Sequence, residues 1–276
     1  MAERLTSEEI RALDPYVLMA VLGKRVIHPG GRRATRQLLT WADIRQGEEV
    51  LDIGCGVGTT AVEAARSYGA RVIAADVSPL MRKLAERRVR AARVDEHVSV
   101  EAADITALPY DDGRFDCVIA EAVTMFVSRE RAARELVRVC RPGGRVLATE
   151  FMWTRPPSEE ARQIFLGEVC PGLRFDTAED WLALYADAGL RDLQVTSGPF
   201  EMLTLRGFLE DEGVGGALRF GARAATRLAY LRRLAWLMPR MARAVPYLGY
   251  IVVSGRRPTA ASRDAVAPAG MTDRVR

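Results

Sequence analysis

The residues best placed to do chemistry stand at the ends of three short apolar runs. Glu49-Val50-Leu51-Asp52-Ile53 leads into Gly54-Cys55-Gly56-Val57-Gly58-Thr59, so a carboxylate is planted just before three alternating glycines. Glycines let a ligand lie against the backbone, and the helix that follows offers unpaired N–H groups. The GxGxG spacing is one residue short of the GxGxxG that dinucleotide enzymes place at such a turn. Asp52 would repel a pyrophosphate, but it suits an ammonium group, met directly or through water. Ala74-Ala75 leads to Asp76, an acid able to accept hydrogen bonds from both hydroxyls of a ribose. Ala102-Ala103 leads to Asp104, which can accept from an exocyclic adenine amine, with Val77 and Ile105 as apolar walls.

Ammonium, ribose and adenine together fit S-adenosylmethionine. Its methyl group is already activated, so a protein using it mainly aligns an acceptor and excludes water. An O- or N-acceptor that starts protonated also needs a base. The candidates are Glu121 and Glu150 at strand ends and His28 in a turn. Each has a plainer reading: Glu121 as a solvated or capping acid, His28 as a packing histidine, Asp52 as a turn cap and Cys55 as a small packing residue. Trp153, Phe165 and Trp181 suit either an acceptor pocket or the core, core being the commoner role.

Strands are predicted at Val50 to Ile53, Arg71 to Ala75, Val98 to Glu101, Phe115 to Ala120, Arg145 to Glu150, Leu190 to Ser197 and Tyr247 to Ser254. Helices fit between them at Thr59 to Tyr68, Pro79 to Arg93, Arg129 to Cys140 and Ala178 to Ala188. Short apolar strands alternating with amphipathic helices imply an α/β fold: a Rossmann-like, doubly wound, seven-stranded, mostly parallel sheet that binds ligands beyond the carboxyl ends of its strands. Residues 1–46 read as an N-terminal helical flap, opened by the capping box Thr6-Ser7-Glu8-Glu9 and by Asp14-Pro15, with a turn at His28-Pro29-Gly30-Gly31 before a helix to about Ile44. The main domain spans residues 47–258, with a helical insertion at about 200–246 before the last strand, and 259–276 reads as a disordered tail.

The formal charge of +4 over 276 residues is weak for a nucleic-acid binder, and none is expected as partner. Four dispersed cysteines without a CxxC pair argue against a structural zinc, so no metal is expected. The polar, acidic start and the lack of a long uncharged apolar run point to a cytoplasmic protein. Between Glu212 and Asp264 there is no acid, while arginines recur from Arg219 to Arg243. Helical spacing puts Arg219, Arg223 and Arg227 on one stripe, opposite Leu218, Ala224, Ala225 and Leu228. Three readings stay open: a solvated face, a lid over the acceptor, or a basic surface in peripheral contact with anionic membrane.

The chain resembles the class I methyltransferases that use S-adenosylmethionine, and within them the group acting on ubiquinone/menaquinone precursors, sterols and tocopherols. Val50 to Gly58, Asp76, Ala103-Asp104-Ile105, and Leu136-Val137-Arg138-Val139-Cys140-Arg141-Pro142-Gly143-Gly144 carry the likeness. It implies that Gly54 and Gly56 contact the methionine part, with Cys55, Gly58 and Thr59 completing the loop. It also implies Asp76 for the ribose, Asp104 and Ile105 for the adenine, and Glu121-Ala122 for the floor near the sulfonium. Gly30 and Gly31 resemble a turn that helps close such sites. The expected reaction is methyl transfer to a small, apolar acceptor such as a quinone, polyketide, terpenoid or lipid-like metabolite. A cofactor-binding or partner-binding module without catalysis is the alternative.

Overall fold

A computed structural model describes residues 5–175 and 177–259. The tail expected at 259–276 lies outside the described residues, Thr259 excepted. Seven strands form one sheet: β1 (Glu49–Ile53), β2 (Arg71–Ala75), β3 (Val98–Glu101), β4 (Phe115–Glu121), β5 (Cys140–Trp153), β6 (Arg191–Pro199) and β7 (Leu248–Arg256). Their order is β3-β2-β1-β4-β5-β7-β6, and β7 alone runs antiparallel to its neighbours β5 and β6. β1 sits centrally and the strand order reverses between it and its parallel neighbour β4, while Asp52, Asp76 and Glu121 all emerge at one end of the sheet. This is the switch point at which such sheets bind ligands.

The N-terminal segment folds as α1 (Ser7–Ala12), α2 (Pro15–Leu22) and α3 (Gly31–Ala42). Thr6 and Glu9 close the predicted capping box on α1, Asp14 accepts from the Tyr16 N–H at 2.8 Å to cap α2, and Gly23 ends α2 at φ 99°. Across the sheet, α3, α4 (Thr59–Tyr68) and α5 (Pro79–Ala92) bury Leu38, Leu39, Ala61, Ala64 and Val89 against one face. On the other face α6 (Arg129–Val139) and α8 (Ala178–Asp187) bury Leu136, Trp181 and Tyr185. The short α7 (Glu159–Arg162) runs into a π-helical turn, Gln163–Val169.

Two expectations are corrected. β5 extends well beyond Arg145 to Glu150, because β7 pairs with it residue for residue from Arg145 to Trp153 while Cys140 pairs with Phe115 across a bulge. The Pro142-Gly143-Gly144 run therefore lies within the strand. The insertion forms α9 (Leu205–Ala225) and α10 (Leu228–Ala244), and the chain breaks between them at Arg227, φ −148°. Arg227 thus leaves the stripe drawn through Arg219 and Arg223, and the sequence period failed because it assumed one continuous helix. Leu218 and Leu228 are exposed rather than turned inward, and only Ala224 of the expected apolar side is buried. Among the described residues no helix is long and apolar enough to cross a membrane.

Candidate active site

The glycine turn is built by backbone. The Gly54 and Cys55 N–H groups both donate to the Ala75 carbonyl, at 2.7 and 3.0 Å, locking the loop after β1 against the end of β2. Gly54, at φ 71°, has no room for a side chain: a Cβ would meet Val123 Cγ2 at 2.2 Å. Gly56 differs, for at φ 53° a Cβ there would meet nothing within 4 Å. Its missing side chain leaves a cradle open in front of the loop.

That cradle is the wall of a cleft lined by Arg25 to His28, Thr35, Asp52, Gly54 to Val57, Thr59, Thr60 and Glu121, with free space of about 60 Å³. Asp52 is 3 % exposed, and its Oδ2 has no hydrogen-bond partner among the described residues. Burial first, and then the neighbouring Glu121 carboxylate, push its pKa up to about 8. A buried carboxylate with one oxygen unpaired is costly, and a cation arriving there relieves the cost. Orphaned Asp52 and the open Gly56 cradle fit the ammonium and backbone-contact requirements of the methionine part of S-adenosylmethionine.

Glu121 lies at the end of β4 in a closed polar cluster. Thr60 donates to its Oε1 at 2.5 Å, Thr35 to its Oε2 at 3.1 Å, and His28 Nε2 stands 3.3 Å from Oε2 and 2.8 Å from Thr35 Oγ1. His28 Nδ1 is buried without a partner. The next residue, Ala122, sits at φ 58° and donates to the Thr149 carbonyl at 2.6 Å. A non-glycine residue held in this region costs roughly 1–3 kcal/mol, and such strain gathers where a side chain must be aimed. Thr35, Thr60 and Arg25 escaped the sequence reading. A signal was there for Thr60, which is in the first turn after the glycines; Thr35 lies one turn into α3 and carried none.

The other sequence-predicted residues are spread further. Asp76 accepts from the Gly56 N–H at 3.0 Å and from the Ser78 N–H at 2.8 Å, and burial raises its pKa. Asp104 is exposed, and Thr106, through its N–H and its hydroxyl, holds the carboxylate below its usual pKa. Ala103 and Ile105 are buried, whereas Val77 is 72 % exposed. Thr59 lines the cleft and donates to the Arg25 carbonyl at 2.6 Å, tying the flap to α4. Gly30 and Gly31 do not line it: Gly30 packs on Ala34 and Tyr250, and Gly31, φ 56°, packs on the Asp211 carboxylate. Glu150 also lies outside the lining. It is fully buried, accepting from the Thr124 N–H at 3.3 Å with the Tyr185 hydroxyl 3.5 Å away, and burial pushes its pKa up to about 8.

The flap is held down from α9. Lys24, 1 % exposed, donates to Asp211 Oδ2 at 2.7 Å, and Asp211 Oδ1 accepts from the Arg32 N–H at 2.8 Å. Glu212 accepts from the Arg25 N–H at 2.6 Å and from Arg25 Nε at 2.8 Å. Gly213, at φ 68° and ψ 170°, breaks the helical path directly after this acidic pair. On the far side of α2 lies a second cavity, lined among others by Tyr16, Met19, Phe151, Phe165, Leu237 and Met241, with free space of about 20 Å³. α2 is the wall between the two spaces, since its Val17 and Ala20 pack with Val57 and Met81. Of the three aromatics considered earlier, Phe165 faces this cavity, while Trp181 is core and donates to the Phe151 carbonyl at 2.7 Å.

A family profile described as methyltransferase domain matches residues 51–148. Over residues 51–148 the chain is thus similar to methyltransferase domains. Methyltransferase GfsG of Streptomyces halstedii is 35 % identical over 169 residues, 60 % of this chain and 61 % of that protein. The demethylmenaquinone methyltransferase of Clavibacter sepedonicus is 37 % identical over 131 residues, 46 % of this chain and 51 % of its own. The chain thus spans about half to six-tenths of the length of these named relatives. Among solved structures, the [4+2]-cyclase SpnF superposes with a TM-score of 0.66 at 24 % identity, covering 93 % of this chain and 98 % of that one. That likeness concerns the fold alone. Other solved structures of the same fold hold S-adenosylmethionine or S-adenosylhomocysteine.

Proposed function

We propose that this chain transfers the methyl group of S-adenosylmethionine to a small, apolar acceptor of the quinone, polyketide, terpenoid or lipid-like kind. The observation that carries the reading is the aromatic and aliphatic cavity on the opposite side of α2 from the glycine loop. A cavity with so few polar groups favours an acceptor with little to desolvate. Both spaces are smaller than the few hundred Å³ such ligands occupy, which suits a closed form whose flap moves to admit them.

In this reading Asp52 takes the ammonium group, Gly54 to Gly58 and Thr59 give backbone to the methionine part, Asp76 takes the ribose, and Ala103-Asp104-Ile105 with Val77 border the adenine. The cofactor supplies an activated methyl; the protein's task is alignment and exclusion of water. Glu121, paired through Thr35 with His28, is the group best placed to hold an acceptor's proton, because the cluster lines the cleft. Glu150 instead positions the turn after β4 by gripping the Thr124 N–H. A binding module without catalysis is not favoured, because the named relatives at 35 and 37 % identity are methyltransferases.

Calorimetry with S-adenosylhomocysteine is the first test, followed by turnover of labelled cofactor against a panel of apolar small molecules. Failure to bind S-adenosylhomocysteine at high micromolar concentration sinks the proposal. Binding together with methylation of polar acceptors only would overturn the apolar part.

A further inference from the structure

The outer faces of α9 and α10 have their polarity reversed. After the Gly213 kink, Val214, Leu218, Gly221 and Ala225 fall on one exposed strip of α9, with Val214 68 % and Leu218 70 % exposed. On α10 the buried side is Tyr230, Leu237, Met241 and Ala244, yet Leu228, Leu231, Ala235 and Met238 face outward. A soluble helix normally turns such residues in and charges out. The charges that α9 and α10 themselves carry after Gly213 are of one sign, while Glu8 and Glu9 of α1 and Glu160 and Glu168 lie at the edges of this surface. Arg219 and Arg232 are exposed and make no hydrogen bond or ion pair with any described residue, whereas Arg240 and Arg243 are matched by Glu168 and Glu160. From Gly213 to Thr259 no residue carries a carboxylate side chain. Beside the apolar strip, between α1 and α10, lies a depression lined by Ser7, Arg11, Thr226, Arg227, Leu228 and Arg232, three guanidinium groups and two hydroxyls with no acid.

We infer that the outer face of α9 and α10 docks on an anionic membrane surface, with its exposed aliphatic residues in the acyl boundary and the arginine-lined depression against lipid phosphates. Charge selects this occupant over a second copy of the chain. A self-facing contact of α9 and α10 would set Arg219 and Arg232 against the arginines of helices that carry no carboxylate after Gly213, whereas an anionic leaflet complements both the charge and the apolar strip. α10 would then carry the bilayer on one face and Leu237 and Met241 of the apolar cavity on the other. The docking stands on the surface alone and does not depend on which acceptor is methylated.

Co-sedimentation of the full chain with vesicles of phosphatidylcholine alone, or mixed with phosphatidylglycerol, tests it. Binding is expected to the mixed vesicles only, weakening at high salt. The double substitution Arg219→Gln with Arg232→Gln lowers partitioning roughly thirtyfold, at about fivefold for each arginine near an anionic surface. Leu218→Gln with Leu231→Gln lowers it by about tenfold or more. Because all four side chains are exposed, the thermal melt and S-adenosylhomocysteine binding of these variants stay at the parent's values, which separates a failure of docking from a failure of folding or of the proposed reaction. Absence of binding to anionic vesicles at low salt overturns the inference. So does binding that ignores the two leucines, or a concentration-dependent dimer that the leucine substitutions dissolve.

Discussion

Asp52 makes a quantitative prediction about pH. Its carboxyl is pushed up to about 8 by burial and by Glu121, so near neutrality most molecules hold it protonated. Meeting an ammonium group requires the carboxylate. An α-amino group itself titrates near 8, so the productive pair needs Asp52 deprotonated and the ligand amine protonated. The fraction in that state is about one quarter at pH 8 and about one hundredth at pH 6, which predicts a roughly 25-fold loss of affinity between them. Affinity for S-adenosylhomocysteine, measured calorimetrically across pH 6 to 10, should therefore peak near 8. Below the peak, titrations in buffers of different ionisation enthalpy should report close to one proton released per ligand bound. Asp52→Asn removes the acid limb and lowers the peak. Glu121→Gln removes the neighbouring negative charge and shifts the acid limb to lower pH. An affinity that is flat from pH 6 to 8, or an acid limb that survives Asp52→Asn, would refute the assignment of Asp52 to the cation.

Three further predictions concern stability and the flap. Glu150 has a folded pKa of about 8 against 4.5 unfolded, so its contribution is fully present below pH 4.5 and is lost as pH rises through 8, amounting to roughly 5 kcal/mol over that window. Glu150→Gln should flatten this loss, giving a urea midpoint above the parent's at pH 8.5 and near or below it at pH 5. Asp211→Ala leaves the buried Lys24 with only the Glu212 carboxylate, 4.0 Å away, and should cost about 3 kcal/mol in denaturant unfolding; Asp211→Leu with Lys24→Met should recover most of it. Ala122→Gly relaxes a strained φ of 58° and should leave stability unchanged or raised by about 1 kcal/mol, while labelled-methyl turnover falls because Glu121 is aimed less firmly.

The sheet was legible because each strand is a short apolar run closed by a turn or an acid, and β1 to β4 fall within a residue or so of where those runs lie. The strand-end acids were legible too, since strand ends in a parallel sheet share one rim: Asp52, Asp76 and Glu121 emerge together. What the sequence hid is what depends on distance. Lys24 and Asp211 are 187 positions apart, and no local pattern marks a lysine for burial. The length of β5 depends on β7, and the place of Arg227 depends on a break in the chain that leaves no proline or glycine behind. Gly30 and Gly31 looked like cofactor contacts because their turn resembles one that helps close such sites. Gly31 instead makes room for the Asp211 carboxylate.

That same carboxylate explains why a costly arrangement sits so close to the cleft. Replacing a buried ion pair with apolar residues of equal volume is often neutral or stabilising, so Lys24 and Asp211 are poor candidates for mere stability. Their geometry favours register. Asp211 grips both Lys24 Nζ and the Arg32 N–H, and Glu212 grips the Arg25 N–H, so two consecutive acids fix both ends of the stretch that brings Arg25 to His28 to the cleft wall. Any movement of this stretch away from the cleft strips both acids of their partners. The interactions are charge-assisted and directional, so the flap has one well-defined closed position rather than a range of loosely packed ones. An apolar latch of equal strength would hold the flap shut without fixing where His28 points relative to Glu121.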